Sequence, residues 1–367
     1  MKPRDFLLGG AILVAALAAL AVLRLTVFSS SPLPSPTPPP SVTREPLATL
    51  PVPTPTPAPR PTYALTGQPM TDADVLQPTR HRPVAVMIDN NDALNPPLGL
   101  AQADIVFEAL VEGGITRFLS VYDSQEAGAI EPVRSARTPF LAWVAEFDAL
   151  YAHVGRAETP GPANSGQQIA DLQIADLDME GGPNPVPEAF QRDPTREAPH
   201  NVVTSTGALR AAAALRGYDR PPRMGEWRFA SAASAASGSP TATAIDLDFG
   251  PIAATHPSWT WDPAASLYQR LSDGVVQVDG ATHQPLTATN VVVMHARNYV
   301  ADSSEHVLID NVGQGTAEVY IGGHVIAGTW RKPDNASRTR FYDAAGNEIA
   351  FTPGNTWIEV EGLVAGS

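Results

Sequence analysis

Between Ile105 and Arg137 the chain reads IVFEALVEGGITRFLSVYDSQEAGAIEPVRSAR, and the dipeptide Gly113-Gly114 within it limits what the chain can become. Two apolar, β-rich segments flank a pair of residues that tolerate positive φ, the composition of a tight hairpin. A turn of only those two residues pairs Glu112 with Ile115, Leu110 with Arg117 and Glu108 with Leu119. Strand alternation then places all six side chains on one face, with Arg117 diagonal to both glutamates. Ionised groups on a buried face are costly unless paired or used. The cluster therefore reads either as a charge-balanced structural group or as a polar site on an otherwise apolar sheet.

The stretch ends in Pro132-Val133-Arg134-Ser135-Ala136-Arg137-Thr138-Pro139, which has the marks of a helix start. Ser135 or Thr138 can cap it, Pro139 suits the first turn, and Phe140, Leu141, Val144 and Phe147 recur at helical spacing. Two arginines at a helix N-terminus oppose the macrodipole. Backbone N–H groups and two guanidinium forks together suit a phosphate or carboxylate ligand. The competing reading is that Arg134 and Arg137 pair with the chain's own carboxylates, Glu108, Glu112 or Glu131 among them.

Elsewhere, Val84 to Ile88 reads as a strand running into Asp89-Asn90-Asn91-Asp92, a place where open α/β sheets hold ligands but also a common turn composition. Ala149 to Val154 reads as a second buried strand carrying His153, with structural and catalytic roles both open. A helix is expected over 164–172. A proline- and glycine-rich loop, 181–199, leads to His200-Asn201, candidates because loops on rigid scaffolds carry function. An alanine-rich helix follows from Thr206 to Arg216, stopped by Gly217. The run SAASAASGSPTATA, near 230–244, reads as loop or hinge.

Beyond it, nine short β segments begin at Ile245, Ser258, Leu267, Val275, Asn290, Glu318, His324, Arg340 and Thr356, separated by turn pairs such as Asp273-Gly274 and Gly322-Gly323. Trp259, Trp261, Trp330 and Trp357 fall here, as core residues or as a stacking platform for sugar rings. The expected fold is α+β: a mixed α/β N-terminal lobe, 63–230, followed by a β-rich C-terminal lobe, 245–362.

At the N-terminus, Lys2 and Arg4 precede an uncharged apolar run, Phe6 to Leu23, with no evident cleavage site. Residues 1–28 are expected to be an uncleaved signal anchor that leaves the rest outside the membrane. Residues 29–62 are rich in Pro, Ser and Thr and suit an extended stalk of very roughly 100 Å. A net charge of −14 argues against nucleic acid as the main partner. With no cysteine there is no disulfide, thiolate nucleophile or acylation site. No phosphate loop, dinucleotide fingerprint or nucleophile elbow is present, and nothing calls for a metal or cofactor.

Several segments resemble the YerB-like bacterial envelope lipoproteins, which carry a two-part domain of unknown function. They are Arg82 to Asn90, Ala103 to Glu108, Val111 to Arg117, Pro132 to Arg137, Ala198-Pro-His-Asn201, Gly328-Thr-Trp330, Thr339 to Tyr342 and Thr356-Trp-Ile358. The resemblance covers 83–360 and implies an envelope location and a two-part fold, with no established activity. The missing cysteine departs from it.

Two functions compete. One is a non-enzymatic envelope protein, on a membrane helix, that binds an anionic wall or lipid-linked glycan or a wall-synthesis partner near Arg134 and Arg137. The other is a hydrolase or transferase of wall glycans using Glu108 or Glu112 with His153 or His200. Positions i and i+4 on a strand lie roughly 13 Å apart, beyond the about 5–10 Å of paired catalytic carboxylates, which favours binding. Arg117, Asp89, Asn90 and Asn201 complete the candidate ligand-binding set.

Overall fold

Five strands from the first half of the chain form one end of a single sheet: β1 (Val84–Asp89), β2 (Ile105–Leu110), β3 (Thr116–Tyr122), β4 (Leu150–His153) and β5 (Ala175–Asp178). Five from the second half continue it. The order is Arg340–Asp343, His324–Lys332, Gly313–Ile321, Asn290–Ala296, Thr356–Gly362, β2, β3, β1, β4, β5. β1 runs parallel to β4 and β4 to β5, while the seam between the halves is the parallel pair of β2 with Thr356–Gly362. β1, β2 and β3 are buried along their whole lengths. Both faces of the sheet are covered there, which is why these strands read as near-continuous apolar runs. The fold is α+β, with a mixed α/β N-terminal region and a β-rich C-terminal region.

The structure, a computed structural model, describes residues 60–76, 81–91, 96–250, 253 and 256–362. The expected anchor at 1–28 and nearly all of the expected stalk at 29–62 lie outside the described residues. Among the described residues no helix is long and apolar enough to cross a membrane.

One face of the sheet packs against the helix Thr138–Glu146. Phe107 stacks on Trp143 with ring centroids 4.7 Å apart, and Phe140 and Phe147 complete an aromatic core. Such a pair contributes about 0.5–1.5 kcal/mol beyond its buried area. The other face is covered by the helix Thr206–Leu215, through Leu209, Ala212 and Ala213, and by a second sheet ordered Val275–Val276, Leu267–Ser272, Pro257–Asp262, Ala244–Asp246.

The hairpin differs from the expected one by a single residue. Glu112–Gly114 form one tight turn with both glycines at φ 72°, and Val111 N–H bonds Ile115 O at 2.9 Å. The loop therefore has three residues, and the register becomes Leu110 with Thr116, Ala109 with Arg117 and Glu108 with Phe118. A one-residue slip moves every side chain of a strand to the other face. Arg117 joins the face of Phe107 and Leu119, whereas Glu108 joins that of Phe118 and Trp357.

The N-cap of the helix after Pro132 falls between the two expected cap residues, Ser135 and Thr138. Arg137 occupies the N-cap position with no side-chain cap bond, and Pro139 sits in the first turn. Ser135 does not cap; its hydroxyl donates to Val154 O at 2.8 Å. The expected loop near 230–244 contains a short helix, Ala232–Ala235, capped by Ser231. Around Gly322-Gly323 the two strands run for nine residues each, longer than their apolar stretches suggest. Trp259, Trp330 and Trp357 are sealed in the core and offer no sugar platform, and only Trp261 of the four is partly open.

Candidate functional site

Glu112 gathers two of the three candidate arginines. Its carboxylate takes a fork from Arg137, with Nε at 2.9 Å and Nη2 on the second oxygen, while Arg117 Nη2 approaches to 3.4 Å. Burial works against the charged carboxylate, yet the Arg137 hydrogen bonds and the Arg117 charge hold it down at about 2. Arg117 is sealed at 2% exposure, and burial together with Arg137 lowers its guanidinium to about 10. Its Nη1 donates to Ser135 O at 3.0 Å, and its Nε has no partner among the described residues. Arg117 does not meet Glu108 as expected, because the two lie on opposite faces of the sheet.

A second group forms where β1 ends. Segment 131–134 runs beside β1, with Arg134 N–H bonded to Met87 O and Val133 N–H to Val202 O, which draws the 193–202 loop over the strand end. Buried Asp89 then receives His200 Nδ1 on Oδ2, and Arg134 Nε lies 3.4 Å from the same oxygen. Arg134 Nη1 also donates to Pro199 O at 3.3 Å. Asn201 is a clip within the loop, accepting from Arg192 at 3.0 Å and donating to Asp193 O at 3.4 Å. His153 is fully buried at the end of β4, with one ring nitrogen 2.9 Å from Gly155 O and the other 2.8 Å from Asp176. Both nitrogens are occupied, so His153 reads as structural.

An apolar-walled opening lies on the other face. A cavity of about 690 Å³ is enclosed by the β2–β3 hairpin, the loop after β1 and the hairpin of Leu267–Ser272 with Val275–Val276. That volume falls within the usual range of small-molecule and peptide pockets. Pro96, Pro97, Leu100, Ile115 and Phe118 form apolar walls, and the polar lining includes Asn90, Thr116 and Gln277. Beneath these three lies a sealed ion cluster. Glu108 Oε2 accepts from Arg270 Nη2 at 2.5 Å, and Arg270 Nη1 reaches Glu359 at 2.9 Å. Trp259 Nε1 donates to the same Glu359 oxygen at 2.9 Å, and the rings of Phe118, Trp259 and Trp357 surround the guanidinium at 5.0 to 5.6 Å. Burial, and then the Glu108 charge, push the Glu359 carboxyl well above its ordinary range.

The structure thus distributes the candidates. Asp89, Arg134 and His200 meet at the end of β1, and Glu112, Arg117 and Arg137 meet beside the helix. Asn90 and Glu108 belong to the cavity, and His153 and Asn201 to neither group of charges. Arg270 and Glu359 were not among the expected site residues. Each lies in a strand some hundred residues or more from Glu108, and no local pattern links them. The one available signal was strand alternation, which puts Arg270 on the face of Tyr268 and Glu359 on the face of Trp357.

Comparison with known proteins follows the same two parts. The family described as "Protein of unknown function (DUF3048) N-terminal domain" matches residues 65–219, and its C-terminal domain counterpart matches 245–358. The chain is 32% identical over 283 residues to "Putative lipoprotein YerB" of Bacillus subtilis (strain 168), covering 77% of this chain and 82% of that protein. It also resembles the crystal structure of YerB protein from Bacillus subtilis, with a TM-score of 0.68 and 29% identity, over 82% of this chain and 96% of the other.

Proposed function

The chain belongs to the YerB-like family, and from that premise we propose that it is a membrane-tethered, extracytoplasmic binding protein without catalytic chemistry, whose ligand occupies the cavity beside the β2–β3 hairpin. The observation that carries this reading is the cavity itself: about 690 Å³, apolar-walled, with a few polar side chains fixed by the ions below. The relative named a lipoprotein supports the envelope location. This chain has no cysteine to acylate, so the tether is assigned to the apolar run Phe6 to Leu23.

The arrangement favours the cavity over an anion site at the helix start. Arg137 is committed to Glu112, and Arg134 shares Asp89 with His200. An anionic wall glycan would have to displace those carboxylates. Acid–base hydrolysis is disfavoured as well, because Glu108 is sealed beneath the cavity and Glu112 is held by two arginines on the opposite side of the sheet.

The test is a melting-temperature series on the full-length protein in nanodiscs, with fractionated small-molecule and peptide extracts of bacterial envelopes added. A fraction that raises the melting temperature of the wild type, but not of Ile115→Trp with its cavity filled, is the expected result. An equal shift in both proteins would move the site elsewhere.

A further inference from the structure

Asn90 and Gln277 both line the cavity, and the ions beneath fix which way each amide faces. A carboxylate only accepts, so the Asn90 atom 3.2 Å from Glu108 Oε1 is the nitrogen; its second hydrogen goes to Thr116 Oγ1 at 2.8 Å. The Thr116 hydroxyl donates onward to Glu108 Oε1 at 2.5 Å. A guanidinium only donates, so the Gln277 atom 2.5 Å from Arg270 Nε is the oxygen. What remains for the cavity is one acceptor, Asn90 Oδ1, and one donor, Gln277 Nε2, neither with a partner among the described residues.

We infer that the cavity receives an extended, uncharged, apolar segment of a partner polypeptide, one peptide group of which donates to Asn90 Oδ1 and accepts from Gln277 Nε2. This rests on the cavity being the binding site. Charge argues first. Arg270 is sealed and committed to Glu108, Glu359 and Gln277, and Asp273 is the one charged side chain among the described lining residues. An anionic headgroup would meet no free cation there. An alkyl or isoprenoid chain would suit the walls but leave the fixed donor and acceptor without partners, which costs free energy in an enclosed site. A secondary amide offers one N–H and one C=O and satisfies both.

The cavity wall supplies an independent argument. Val275–Val276 is the terminal strand of its sheet, and both valines are exposed, at 70% and 38%, on the rim of the opening. An open strand edge beside an apolar pocket is the setting in which extended peptides add to a sheet: main-chain bonds supply affinity and pockets for alternate side chains supply specificity.

Three compounds test the assignment on the full-length protein in nanodiscs, by calorimetry against empty nanodiscs: acetyl-Leu-Val-Leu-N-methylamide, its analogue with the central N–H replaced by an ester oxygen, and 1-dodecanol. The tripeptide is expected to bind and the ester at least tenfold more weakly. Asn90→Leu should lower the tripeptide to the affinity of the ester without changing the ester. Should Asn90→Leu lose its fold, Gln277→Leu makes the same comparison with an analogue whose central C=O is replaced by C=S, an uncharged and weaker acceptor. Ile115→Trp should abolish binding of both peptides.

Equal binding of ester and amide, or dodecanol matching the tripeptide, overturns the peptide assignment and leaves the cavity reading standing. Binding that appears only after deletion of residues 29–59 makes the chain's own segment the occupant and overturns the partner. Binding untouched by Ile115→Trp, or none in either the wild type or the deletion, overturns both.

Discussion

At the scale of single residues, the two glutamates of the central hairpin have opposite fates. Glu112 sits well below the ordinary carboxylate range, at about 2, because the Arg137 fork and Arg117 outweigh its partial burial. A depressed folded-state pKa stabilises the fold fully above the ordinary value and progressively less as pH falls through the folded one. We expect a contribution of order 2 kcal/mol, discounted for partial exposure, that disappears between about pH 4.5 and about pH 2. Urea unfolding of the wild type and Glu112→Gln across that range measures it. The two curves should converge at the acid end, and curves parallel at every pH would show that Glu112 contributes nothing.

The buried trio makes a sharper contrast. Burial and the neighbouring Glu108 push the Glu359 carboxyl up, so Glu359→Gln, which has the shape and charge of the protonated acid, should cost under about 1 kcal/mol. Glu108→Gln instead leaves Arg270 as a sealed guanidinium without its carboxylate, a loss of about 3–5 kcal/mol. Denaturation midpoints of the two variants decide it, and equal costs would show that Arg270 does not depend on Glu108 more than on Glu359.

At the scale of elements, the hairpin loop sets which face each charge occupies. Gly113 is at φ 72° with open space where a Cβ would stand, so Gly113→Ala should cost only its backbone strain, about 1 kcal/mol. Deleting Gly113 would create the two-residue loop and force a slip that drives Arg117 towards the Phe118 face. Near-UV circular dichroism should show the alanine variant native and the deletion unfolded. A native deletion variant would show that the loop does not hold the register.

The same element shows what the sequence could tell. Gly113-Gly114 between apolar strands announced a hairpin, but a two-residue and a three-residue turn have the same local composition, and only tertiary pairing selects between them. Likewise Val84 to Ile88, the helix from Thr206 and nine of the twelve described C-terminal strands were legible from periodicity and turn residues. The partners of Glu108 were not, because Arg270 and Glu359 reach it across the chain. Ser135 had the chemistry of a helix cap, and the competing demand of the Val154 carbonyl took its hydroxyl instead.

At the scale of the whole molecule, the two sequence parts are not two separable bodies within 58–367, which form one compact unit. β2 lies between β3 and Thr356–Gly362, so the first part alone would leave β2 as an unpaired edge strand at the end of its sheet. It would also lose the cations that its buried carboxylates require. Glu108 depends on Arg270, and Glu146, fully buried in the helix Thr138–Glu146, depends on Lys332 at 2.9 Å and Arg338 at 3.2 Å. Each severed pair leaves a buried charge that costs several kcal/mol, comparable together with the total stability of a domain. Residues 60–230 expressed alone should therefore lack near-UV dichroism and dispersed amide resonances, and co-expression with 231–367 should restore both. The intact 58–367 unit should unfold in one transition, with tryptophan fluorescence and far-UV dichroism coincident. A fragment 60–230 that unfolds cooperatively on its own would defeat this account, because it would require Glu108 and Glu146 to be stable without the cations that hold them.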